Sequence, residues 1–135
     1  MPLHDYDDLF AAAGKEWNVN PLVLKAIAGQ ESSGNPRATS KAGAQGLMQI
    51  TPETQRELGV SNPWDPAQSI FGGAKYLSQA IDAEHGDPAD ALRYYHGGPD
   101  WRANYGPESR AYAPAVASRY RALVQPTATA SPDRP

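Results

Sequence analysis

The chain of 135 residues contains no cysteine. Disulfide frameworks, thiolate metal sites and cysteine nucleophiles are therefore excluded, while the redox compartment is left open. No apolar run is long enough to span a membrane. The first twenty residues carry Asp5, Asp7 and Asp8 where a secretory signal would have a basic stretch followed by an apolar one. Export is accordingly expected to use another route. No segment sustains a period-two alternation of polar and apolar residues, and no repeat recurs at a fixed spacing, so the sequence has neither a sheet signal nor a solenoid signal.

Positive charge is also in short supply. Twelve Lys and Arg stand against fifteen Asp and Glu, giving a net charge of −3 and a pI near 5.5. Electrostatic capture of nucleic acid needs clustered cations, so no nucleic-acid partner is expected. Arg93, Arg102, Arg110, Arg119 and Arg121 bias the last third towards positive charge, which a solvated helix face explains. Glu84-His85 lacks the second histidine four residues on that a zinc motif needs, and no Gly-rich loop leads into a helix with a phosphate-binding lysine. No metal and no cofactor is expected.

Proline, by contrast, is abundant, with thirteen residues. Asn20-Pro21, Thr51-Pro52, Asp65-Pro66 and Asp87-Pro88 each pair an N-cap residue with proline at the first helical position, where its missing N–H costs nothing. These starts predict helices near 5–17, 21–32, 52–58, 66–85 and 88–96, with Gly59, Gly86 and Gly97 as stops, and a last helix over 109–124 in which Pro114 is either a second start or a kink. In 66–85, Ile70, Ala74, Leu77 and Ile81 form a core-facing stripe that Tyr76 and Ala80 widen. The fold class is all-α, one compact domain over residues 1–125, with a small irregular or β-like turn in the Gly-rich stretch 40–47. Residues 126–135, PTATASPDRP, have the composition of a disordered tail or linker.

One carboxylate stands out. On helix 21–32, Leu24, Ile27 and Glu31 share a face, so Glu31 continues an apolar stripe, and it lies in the last turn where the helix dipole disfavours an anion. Both effects raise its pKa towards the range of a general acid. SSGNP then ends the helix in turn formers, and SKAGAQGLMQITP follows with flexible Gly43 and Gly46 and the polar Gln49 among Leu47, Met48 and Ile50. A plain surface glutamate followed by core residues would read similarly from Glu31 alone.

The larger pattern is more specific. The run ES, NP, S and GAQGLMQITP resembles the first two motifs of the soluble lytic transglycosylase family, which is related to goose-type lysozymes. ALRYYHGGPD resembles the third motif, with Tyr95 matching its tyrosine and His96 standing where the family has asparagine. ESRAYAPAV resembles the closing segment. The resemblance covers residues 8 to 124 and implies a lysozyme-like helical domain with a catalytic groove.

It also implies that Glu31 is the catalytic acid and that Ser32, Ser40, Gln49, Tyr95, His96 and Tyr112 bind substrate or orient that acid. The implied substrate is the glycan strand of peptidoglycan, cleaved between N-acetylmuramic acid and N-acetylglucosamine. In that scheme Glu31 protonates the glycosidic oxygen, then takes the proton from the muramoyl 6-hydroxyl as it closes on C1 to a 1,6-anhydro ring. Ordinary hydrolases need a second carboxylate. Asp65 and Asp87 are read as caps and Glu53 as a first-turn acid, with Asp100 after its Gly-Gly-Pro turn the hardest to dismiss. A muramidase using water and a silent wall- or chitin-binding module are the alternatives. The working place implied is the bacterial cell wall or periplasm, reached as a monomeric domain of a larger phage or secretion-machine protein, for instance a virion-delivered endolysin. Gln49 and Tyr95 are expected to matter more for turnover than for stability.

Overall fold

The structure is a computed structural model that describes residues 2–125. The tail expected at 126–135 lies outside the described residues. A 3₁₀ turn, Leu3–Tyr6, leads into α1 (Asp7–Trp17), followed by α2 (Pro21–Ser32), α3 (Pro52–Leu58), α4 (Pro66–Ala83), α5 (Pro88–Gly97) and α6 (Pro107–Val124). Among the described residues there is no strand, and the fold is all-α as expected. The β-like turn is present as two isolated antiparallel bridges, Thr39 with Gln45 and Gln45 with Ile50.

All four predicted Pro starts sit at the first turn of a helix, yet they are capped in two ways. Asn20 Oδ1 accepts from the Leu22 amide at 2.8 Å and Asp87 Oδ1 from the Asp90 amide at 3.0 Å. Thr51 and Asp65 make no side-chain cap bond. The Thr51 hydroxyl donates instead to Thr54 Oγ1, so extended backbone and the fixed φ of proline set these two starts. A fifth start, Gly106-Pro107, opens α6 two residues before the expected position.

Helix ends differ by one or two residues. α4 stops at Ala83 because Glu84 leaves helical geometry and His85 and Gly86 take left-handed φ of 55° and 83°. Gly97 completes α5, and the left-handed stop is Gly98. Pro114 lies inside a continuous α6, so it is not a second start.

α4 is the central post. α1 packs on α4 and α2, α5 on α4 and α6, and α2 on α6. Ile70, Ala74 and Leu77 of the predicted stripe are buried along its inner face, as is the flanking Ala80, while Ile81 and Tyr76 are partly buried. A β-carbon on Gly73 would lie 2.7 Å from Met48 Cγ, so the absence of a side chain lets the 47–50 segment press directly onto α4. Leu47 and Met48 are fully buried there. This contact places the irregular segment 38–51 opposite the end of α2, with a cleft between them.

Candidate active site

The C-terminal turn of α2, the 40–51 segment, the start of α3, the end of α5 and the start of α6 enclose an open cleft of about 860 Å³. Glu31 lines it. Leu24 and Ile27 beneath Glu31 are wholly buried, and burial raises the Glu31 carboxyl from 4.5 to about 7, with a polar contact from Tyr112 partly offsetting the rise. The Tyr112 hydroxyl is itself buried and reaches no partner at full hydrogen-bonding geometry, so it faces the carboxyl without a tight bond. Burial beside Glu31 holds the Tyr112 phenol well above its ordinary pKa. It is therefore a neutral donor and no base.

Tyr95 is anchored more firmly. Its hydroxyl donates to the Met48 carbonyl at 2.9 Å, and its ring packs tilted against Tyr76 at 5.0 Å. Tyr95→Phe would leave that carbonyl buried and unpaired, and is expected to lower stability by about 1–2 kcal/mol. A thermal unfolding midpoint unchanged from wild type would rule this bond out as a contributor.

Gln49 sits at a left-handed φ of 52°, and its Nε2 donates to Ala38 O and Gly46 O, both at 2.9 Å. Both amide hydrogens thus hold the segment closed, leaving only Oε1 for a ligand. The structure gives Tyr95 and Gln49 a structural duty that their motif positions do not disclose.

Ser40 is exposed at the rim, its hydroxyl accepting from the Ala44 amide at 3.1 Å. Ser32 is the predicted site residue that does not line the cleft. It is buried, donates to Ala28 O at 2.9 Å and accepts from the Gly34 amide at 3.2 Å, closing the end of α2 behind Glu31. His96 does line the cleft, its ring stacked on Tyr112 with centroids 4.4 Å apart and planes 21° from parallel. Partial burial lowers its pKa from 6.5, against an opposing pull from Glu108.

Several lining residues are absent from the sequence-based set: Gln30, Glu53, Thr54, Tyr76 and Glu108. Glu53 and Glu108 put two further carboxylates in the cleft, whereas Asp65, Asp87 and Asp100 lie outside its lining. The signal for Glu108 is legible afterwards. Positions 108, 111, 112 and 115 all line the cleft at one-face helical spacing, so Tyr112 predicts its neighbours. Tyr76 is concealed by belonging to the apolar stripe of α4. Among the described residues no group of three or more His, Asp or Glu is placed to hold a metal ion, and no helix is long and apolar enough to cross a membrane.

A helical domain that presents to an open groove a desolvated carboxyl with its pKa raised to about 7, beside neutral phenols, has the features that general-acid chemistry requires. The chain belongs to the Transglycosylase SLT domain family, whose model matches residues 8–116. It is 44% identical over 105 residues to the transglycosylase of Enterobacteria phage PRD1, covering 78% of this chain and 39% of that protein. It is 48% identical over 80 residues to the membrane-bound lytic murein transglycosylase F of Pseudomonas fluorescens, covering 59% of this chain and 16% of that one. The fold matches an inactive mutant of the lytic transglycosylase Slt of Pseudomonas aeruginosa with a TM-score of 0.73 at 27% identity, over 87% of this chain and 24% of that one. It matches the 70-kDa soluble lytic transglycosylase in complex with bulgecin A with a TM-score of 0.76 at 25% identity, over 90% and 25%. The chain thus spans less than half the length of each of these proteins.

Proposed function

We propose that the domain, residues 1–125, is a peptidoglycan lytic transglycosylase that cleaves the β-1,4 bond between N-acetylmuramic acid and N-acetylglucosamine and leaves 1,6-anhydromuramoyl ends. The observation that carries this reading is the cleft-lining Glu31 with its pKa near 7. At that value one carboxyl can serve both halves of the cycle. Protonated, it gives its proton to the glycosidic oxygen as the C1–O bond breaks. As carboxylate, it then removes the proton of the muramoyl 6-hydroxyl while that oxygen bonds to C1, which restores the acid. The substrate's own 2-acetamido group stabilises the cation between the two steps.

Tyr112 faces the carboxyl, Tyr95 packs the wall beside it, and Ser40, Gln49 Oε1 and His96 offer polar contacts to the sugars. Ser32 supports the acid from behind. The names of the relatives, transglycosylase and lytic murein transglycosylase, support the substrate and the cell wall as the working place. That each is much longer than this chain supports a domain within, or delivered by, a larger phage or secretion-machine assembly. Mass spectrometry of digested cell walls tests the reading. Products with 1,6-anhydro ends are expected, and reducing ends alone would overturn it.

Those reducing ends belong to the second reading, a muramidase that hydrolyses the same bond with water. It is favoured by Glu53 and Glu108, each a carboxylate in the cleft.

His96 gives a separate pH prediction. Neutral imidazole can accept a hydrogen bond from substrate, and its lowered pKa keeps it neutral at pH 7. Activity is therefore expected to fall on the acid side as the ring charges, at a pH below 6.5. His96→Asn removes that limb. Because the Glu31 carboxylate of the second step also gains a proton on the acid side, the comparison is between the two proteins on one substrate. Superimposable pH–rate profiles would show that the charge on His96 plays no part.

A further inference from the structure

Glu84 is a charged side chain buried outside the cleft, with a residue exposure of 8%. Nothing in the reaction above uses it. Its Oε2 accepts from Trp101 Nε1 at 3.0 Å and its Oε1 from Arg102 Nη2 at 2.8 Å, while Arg102 Nη1 reaches Oε2 at 3.3 Å. The guanidinium also lies 4.3 Å from the centroid of the Trp101 ring. These bonds, from Arg102 first and Trp101 second, hold the carboxyl below its ordinary pKa, so it is an anion at neutral pH.

The arrangement continues across the 98–106 loop. Arg102 Nη2 lies 3.4 Å from Asp90 Oδ2 on α5, Trp101 meets Tyr105 edge-on at 5.5 Å, and Arg110 of α6 lies 4.8 Å from the centroid of the Tyr105 ring. The loop between α5 and α6 is therefore tied to the C-cap residue of α4 and to α5 and α6 themselves. On its inner side it turns into the cleft, where Gly97, Gly98 and Pro99 form part of the lining immediately after His96.

Trp101 connects the two sides. A β-carbon on Gly97 would lie 2.8 Å from Trp101 Cβ, so the indole-bearing backbone rests directly on the wall residue. Trp101 is 7% exposed, and its N–H has Glu84 as its partner. A bidentate, charge-assisted pair on one side and an indole on the other leave the loop little freedom to move relative to α4.

We infer that Glu84 is a positioning residue for substrate binding: through Trp101 and Arg102 it holds the Gly97–Pro99 wall of the cleft in the shape that accepts the glycan. The inference rests on the proposed function for its substrate, and on the geometry alone for the wall. Glu84 touches no reacting atom. Its loss should weaken binding of sugars along the wall and leave the chemical step at Glu31 largely intact.

The test is Glu84→Gln, assayed on soluble peptidoglycan strands well below its unfolding midpoint. KM is expected to rise about tenfold with kcat changed by less than about twofold. In parallel, NMR titration of His96 reports the wall without turnover: a loosened wall admits water to the ring, and its pKa moves up towards the ordinary 6.5. A residue serving stability alone would lower the unfolding midpoint and leave both KM and the native-state His96 titration where they were, and that result would overturn the inference. Should Glu84→Gln not fold, Arg102→Lys keeps the charge, loses the bidentate geometry and alters a side chain that is 62% exposed. It carries the same expectations at smaller size. If wild type yields no cleavage, the proposed function fails, while the His96 titration still decides the role of Glu84.

Discussion

Glu31→Gln is expected to retain less than about one per cent of wild-type cleavage, because the amide keeps the shape of the side chain and can neither give up nor accept the proton. The same substitution should make the protein more stable at alkaline pH, and the sign follows from linkage. Glu31 has a folded-state pKa raised from 4.5 to about 7, so between those values the folded chain keeps a proton that the unfolded chain has lost. Stability therefore falls as pH rises through this window, and the cost is fully present above pH 7. The difference is about 3 kcal/mol. The glutamine variant never meets that cost.

Denaturant unfolding at pH 8 and pH 4 checks this directly. Glu31→Gln should exceed wild type by up to about 3 kcal/mol at pH 8, and the gap should close near pH 4. Equal stability at both pH values would mean that the carboxyl is solvated in the folded state. It would also remove the physical basis for its role as an acid at neutral pH. Loss of cleavage and gain of stability are thus two independent readings of one desolvated group.

The largest effect on stability is expected from Gly46→Ala. Gly46 has φ of +84°, where a β-carbon is strained, and that carbon would overlap the Pro63 carbonyl oxygen, which as backbone cannot swing aside. The next neighbour is Ser69 Oγ at 3.1 Å, the group that accepts the Met48 amide. Any relaxation therefore disturbs the bond that seats Met48 on α4. Gly46 also donates to Ala38 O at 2.9 Å and accepts from Gln49, so the cleft floor would shift with it.

A loss of at least about 3 kcal/mol is expected, with activity falling alongside. Gly43→Ala is the matched control. Its φ of +88° carries the backbone strain, but nothing lies within 4 Å of the added carbon. It should cost only about 1 kcal/mol. Equal losses for the two variants would show that φ alone matters and that the Pro63 contact yields.

Much of this molecule is legible in the chain because helix rules are local. Asn-Pro, Thr-Pro and Asp-Pro mark four helix starts, since capping and the fixed φ of proline act within one turn. The three- and four-residue spacing of Ile70, Ala74 and Leu77 selects the buried face of α4. The spacing of Leu24, Ile27 and Glu31 is enough to put a carboxyl on an apolar stripe, and its raised pKa follows from that burial. The errors of one or two residues at Ala83, Gly98 and Pro107 arise where left-handed turns and a glycine cap compete with an otherwise continuous pattern.

The site beyond Glu31 is a different matter, because it is assembled from segments near residues 31, 40–54, 76, 95–99 and 108–115 that meet only after folding. What a polar side chain does there depends on which partner reaches it first. Gln49 spends both amide hydrogens on Ala38 and Gly46, Ser32 turns inward to Ala28 and Gly34, and Glu84 becomes a buried anchor because Trp101 and Arg102 arrive from a loop seventeen and eighteen residues away. Glu53 reads as an ordinary first-turn acid, and Glu108 falls just before the helix start expected at 109, until the packing of α2 on α6, and of the 47–50 segment on α4, brings both to one cleft. The sequence by itself determined the helix starts and the placing of a carboxyl at position 31 on an apolar stripe, both of which depend on neighbours within a few residues. Only the tertiary structure decided which donors and acceptors remain free to meet a substrate, since that is what is left once long-range packing has satisfied the rest.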